Sequence, residues 1–243
     1  SPEMIFPLLI IGLLFIGIFL LYSGFTSAGT NSMMQKAVFE DHSSIEIYFT
    51  QGFRYMFKMM GQLLLIFLLS LPVWIPLILG IVLIAYGGTA GSIGSFLGGL
   101  FLLLISIVLF VVLALAFLHA PVILVTENTG IWKSIALSFR LFKESFGQVF
   151  LSGLIVFLIN LMFGGIITII GFAIFSPSAA DPTQANAGMQ LFSYLIRFVL
   201  TPFIQVLSLL AIFVRYRNLL RPRLFPEKDD NGGEIGGTRI IWG

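Results

Sequence analysis

The sequence has no cysteine, two histidines and little charge, with Asp, Glu, Lys and Arg making up 10% of its 243 residues. Without cysteine there is no disulfide, no thiolate nucleophile and no Cys-ligated metal. The two histidines, His42 and His119, lie far apart and no HExxH spacing exists, which removes the common zinc-enzyme pattern. Glu40, Asp41 and His42 are consecutive, and adjacent positions in a turn cannot all converge on one ion without further ligands. No GxSxG, Walker or dinucleotide-binding glycine pattern occurs, so serine-hydrolase and nucleotide chemistry have no foothold. The shortage of charge excludes most. Soluble domains carry roughly 25% charged residues, and a chain that is 58% hydrophobic cannot cover itself with polar surface. Its solvent is largely lipid.

What is present is apolar length. Five stretches, roughly 4–24, 62–86, 97–119, 148–175 and 191–214, are long enough or nearly so to cross a bilayer core, which takes about 20 residues. The first lacks a basic leader, carrying Glu3 instead, and reads as a retained helix rather than a signal peptide. The loops 87–96 and 176–190 contain no Lys or Arg. The other connections and the tail hold Lys36, Arg54, Lys58, Lys133, Arg140, Lys143, Arg215, Arg217, Arg221, Arg223, Lys228 and Arg239, twelve of the 13 basic residues. By the positive-inside rule the N-terminus is outside and the C-terminal tail is cytoplasmic in a multi-pass membrane protein. Arg197, the remaining base, lies inside the last stretch, where it either snorkels to the outer headgroups or lines a polar cavity.

An offset of 86 residues aligns Ser43–Gln62 with Thr129–Gln148 without a gap. Ile45 matches Ile131, Phe53-Arg54 matches Phe139-Arg140, and Gly61-Gln62 matches Gly147-Gln148. Ile45, Phe49, Phe53, Met56 and Met60 fall on one helical face, and Ile131, Ile135, Phe139, Phe142 and Phe146 repeat it. Ser43 and Glu46 suggest a capping box at the start of the first copy. The expected unit is span, amphipathic helix, span, with the helix entering the second span through a Gly-Gln joint. Residues 1–86 form one repeat around an interfacial helix at 43–60, and 87–175 a second around 129–146. An outer loop and last span follow at 176–214, then a basic and disordered tail at 215–243. The fold class is all-α integral membrane, with about five transmembrane helices and two cytoplasmic interfacial helices in a parallel internal repeat. Helices of this kind bury apolar rings at the headgroup boundary and offer bases to anionic lipid. They can equally pack on a soluble partner, as coupling helices do.

The run Leu124–Gln148, with Glu127, Gly130, Ala136 and Ser138, resembles the membrane domain associated with some bacterial glycerophosphodiester phosphodiesterases and related polytopic bacterial proteins. That resemblance implies six spans, one of them before Ser1, and it carries no catalytic activity, because the phosphodiesterase domain is not in this sequence.

No residue is assigned a catalytic, cofactor-binding or metal role, and nothing points to nucleic acid. The membrane-interface residues are Phe53, Arg54, Lys58, Phe139, Arg140 and Lys143, with Arg215, Arg217, Arg221 and Arg223 at the last boundary. The expected partners are anionic lipids of the cytoplasmic leaflet, with a membrane protein or a second copy as further candidates. Two functions stand side by side. One is a non-enzymatic protein that organises lipid or serves a membrane complex. The other is a small transporter or channel with Asn160, Arg197 and Gln205 facing a cavity between spans two, four and five, near helix-breaking Pro72, Pro76, Gly164, Gly165 and Pro202. Gly94 and Gly98, and Gly24 and Ala28, are small pairs suited to close helix packing.

Overall fold

The structure, a computed structural model, describes the backbone of residues 5–175 and 187–225. Every described element is a helix: α1 (Ile5–Glu40), α2 (Ile45–Ala90), α3 (Ile93–Phe117), α4 (Ala120–Thr126), α5 (Ile131–Glu144), α6 (Phe146–Phe175) and α7 (Ala187–Arg215). A π-helical turn (Tyr216–Leu220) and a short α8 (Arg221–Leu224) follow. Among the described residues five helices are long and apolar enough to cross a membrane, and the protein is an all-α membrane protein. The expected outer loop from 176, the side chain of Arg197 and the tail from 226 lie outside the described residues.

Residues up to Val149 and residues from Phe150 onward form two compact units. In the first, α1 and α2 make a hairpin whose arms exceed what a bilayer needs. At 1.5 Å per residue, helices of 36 and 46 residues run about 54 and 69 Å, against a hydrocarbon core of about 30 Å. The excess is where the core sits. Ala28, Tyr55, Met59, Leu124 and Val125 cluster there, with Ile131 packed against them. A Cβ on Gly24 would fall 2.9 Å from the Met56 carbonyl oxygen, so the two backbones touch at this level. The pair Gly24 and Ala28 thus packs within the chain.

The membrane-crossing halves of α2 and α3 also meet backbone to backbone. A Cβ on Gly80 would lie 2.9 Å from the Gly99 carbonyl oxygen, and one on Gly99 would lie 2.7 Å from that of Gly80. Gly94 and Gly98 have nothing within 4 Å, so the close packing falls to the neighbouring glycine instead. The loop expected at 87–96 shrinks to a turn at Gly91 and Ser92. Gly91 takes the left-handed conformation that ends α2 (φ 64°), and Ser92 caps α3.

Three further expectations are corrected. The cap of α2 is Ser44, whose hydroxyl accepts from the Ile47 N–H at 3.3 Å, rather than Ser43. Gly61-Gln62 does not interrupt α2, which runs on as one helix through Pro72 and Pro76 as well. The second copy does break, at Ser145 (φ −134°), between α5 and α6. Ser145 aligns with Met59, which is helical and buried at 1% exposure, so the same register position ends one helix and anchors the other.

The second unit holds the rest of α6 with α7. Arg215 Nε donates to Ser152 Oγ (2.8 Å), Asn160 Nδ2 donates to Ser208 Oγ (3.2 Å), and Phe163 meets Phe203 edge-on at 6.1 Å. Each contact climbs α6 as it descends α7, which makes the pair antiparallel.

Candidate functional site

The site is built on α5, and the α4–α5 turn aims that helix. Asn128 holds a left-handed conformation (φ 46°), which an Asn tolerates better than most residues. Its Oδ1 accepts from the Tyr55 hydroxyl at 3.1 Å and from Lys58 Nζ at 3.3 Å, tying the turn to α2. Three small or aliphatic residues and a leucine face inward along α5: Ser134, Ile135, Ser138 and Leu141. Gln62 Nε2 donates to Ser134 Oγ (2.8 Å), Ser134 donates in turn to the Ile131 carbonyl (2.7 Å), and Ser138 donates to the Ala116 carbonyl (2.7 Å). A Cβ on Gly61 would fall 2.7 Å from Ile131 Cδ1, so the Ile131 side chain rests directly on the α2 backbone there.

These contacts place α5. Gln62 stands where α2 turns from polar to apolar, and Ala116 stands at the end of apolar α3. Through Ser134 and Ser138, five residues of α5 bridge the middle of α2 and the end of α3. Its outer surface carries aromatic rings and bases. Trp132 and Phe139 are 70% and 48% exposed, seven residues apart on one edge next to the buried face, and Phe146, 53% exposed, follows the break at Ser145 as the first residue of α6. Lys143, Arg140 and Lys133 follow around the helix, all exposed. The Phe139, Phe142 and Phe146 rings stack in series at 6.4 and 5.4 Å. Arg140 pairs with Glu144 at 2.8 Å in an exposed geometry worth little by itself.

The expected apolar face therefore divides. Ile131 and Ile135 pack into the protein, while Phe139 and Phe146 stay outside. Trp132 completes the outer stripe and was missed because it falls off the face that the repeat alignment picks out. Its seven-residue spacing from Phe139 is the signal that finds it. At the offset of 86, buried Gly52, Tyr55 and Met59 correspond to buried Ser138, Leu141 and Ser145, and exposed Phe53-Arg54 to exposed Phe139-Arg140.

The remaining residues distribute as follows. Arg54 is exposed; Lys58 is half-buried and packs with Arg54 against the Tyr55 ring, 5.4 and 5.5 Å from its centroid. Arg217, Arg221 and Arg223 are exposed, and Arg215 is half-buried. Asn160 spends its amide N–H groups on the Val156 carbonyl and on Ser208, three residues from Gln205, which is exposed. Among the described residues no three metal-binding side chains come together, and Glu40 is paired with Lys36. Compared with family models, curated proteins and solved structures, the chain gives no match.

Proposed function

We propose that this is a non-enzymatic, multi-pass protein of the bacterial plasma membrane that binds and orders anionic lipid in the cytoplasmic leaflet as an accessory to a membrane complex. In this reading the N-terminus is outside and the tail cytoplasmic. One observation carries it: an amphipathic helix, α5, tied to the middle of α2 at Gln62 and to the end of α3 at Ala116, with Trp132 and Phe139 outward and Lys133, Arg140 and Lys143 beside them. Burying an aromatic ring contributes up to ~3 kcal/mol, whereas a base near an anionic surface contributes about 1 kcal/mol. The rings hold the helix down and the bases select the lipid.

Trp132 reports on this directly. In a Trp74→Phe, Trp242→Phe background its fluorescence should be quenched by lipids brominated near the headgroup end of the acyl chain. Replacing Lys133, Arg140 and Lys143 with Gln should strip co-purifying anionic phospholipid while leaving the quenching in place. An unquenched, water-exposed Trp132 sinks the reading.

A further inference from the structure

The first copy of the repeated segment is not placed like the second. Because α2 is unbroken, the stretch from Ile45 to Gln62 continues the line of a span instead of turning along the surface. Seventeen residues at 1.5 Å per residue carry Ile45 about 25 Å beyond the boundary at Gln62, while headgroups add only about 5–8 Å on each side. Even a 40° tilt leaves Ile45 and Phe49 past the headgroups. The opposing arm of α1, from Tyr22 to Glu40, matches this length. The two arms form a stalk.

The stalk carries an apolar ridge that starts in the headgroup layer at Phe57 and passes beyond it at Phe53 and Phe49. Phe49, Phe53 and Phe57 are 51%, 65% and 64% exposed, and Phe25 stacks on Phe49 and Phe53 at 6.0 and 4.8 Å, fixing their rings. The ridge does not stop at the boundary. Steps of seven, seven and four residues lead from Phe57 to Leu64, Leu71 and Ile75, all exposed, on the same face of the same helix. One half of this line faces lipid and the other faces water. A soluble partner would cover only the outer half, and acyl chains only the inner half.

We infer that this ridge is the docking surface for a helix of another integral membrane protein, one that leaves the bilayer alongside α2 and continues up the stalk. Exposed Arg54, next to Phe53, calls for an acidic residue on that helix just outside the membrane. The inference deepens the accessory role and is independent of lipid contact at α5.

The test is site-specific photocrosslinking of the full chain in its native membrane, with a benzophenone amino acid placed in turn at Phe49, Phe53, Leu64 and Leu71. The expected result is one polypeptide captured from both stalk and span positions, resistant to alkaline carbonate extraction, with its yield at Phe53 falling several-fold in Arg54→Glu. Adducts at Phe49 and Phe53 with lipid, with a second copy or with a carbonate-soluble protein would overturn it, as would no adduct at those positions. The Trp132 measurement separates the two ideas, because lipid anchoring of α5 fails or holds whatever docks on the ridge.

Discussion

Gly80 and Gly99 set the distance between α2 and α3, since a Cβ on either would stand within 2.9 Å of the opposite backbone. Backbone cannot move aside as a side chain can. Gly99→Val should therefore cost about 1–3 kcal/mol by overpacking, read as a lowered thermal midpoint in detergent. Gly94→Val, with nothing within 4 Å, should leave the midpoint unchanged. If both variants melt alike, the α2–α3 contact is wrong. The buried pair Gln62–Ser134 makes a second residue-scale case. Ser134→Ala leaves the Gln62 amide buried without its acceptor, at a cost of about 1–3 kcal/mol, and it should loosen α5 before the rest of the fold. Hydrogen exchange of the α5 amides, faster in Ser134→Ala than in the parent, checks this. The sequence offered Gly94 and Gly98 as the close-packing pair but had no means to tell Gly98 from Gly99. One residue of register decides which of them faces the neighbouring helix.

At the scale of the element, α2 differs most from expectation. The aligned segments share Phe-Arg and Gly-Gln pairs, yet one runs straight on and the other breaks at Ser145. Because the chain lacks cysteine, spin labels can be placed directly at Ile45→Cys and Ala85→Cys. A continuous helix puts these positions about 60 Å apart, and one bent at Gly61 to lie on the membrane about 43 Å apart. A pulsed dipolar measurement near the shorter value would restore the flat first copy and remove the stalk. The amphipathic period of α5 was legible in its sequence. Its orientation was not, because two of the apolar residues on its predicted lipid face, Ile131 and Ile135, turned out to serve the protein interior.

For the whole molecule, the distribution of bases predicts sidedness. An impermeant maleimide applied to intact cells should label Ser92→Cys and spare Ser43→Cys, and permeabilised cells should label both. The reverse pattern would invert the topology and move α5 to the outer leaflet. Composition and run length by themselves determined that this chain is an all-α membrane protein with five spanning segments. Burying so much apolar surface without charge leaves no other solvent than lipid, and continuous apolar runs of about 20 residues suit helices rather than the short alternating strands of a barrel. Tertiary structure decided how the helices meet: that α1 and α2 pair as a hairpin longer than a bilayer core, that α5 is tied to the middle of α2 and the end of α3, and that Phe139 faces out while Ile135 faces in. The physical reason is that periodicity names a helical face, but whether that face meets lipid, water or another helix depends on contacts such as Gln62 with Ser134, made between residues far apart in the chain.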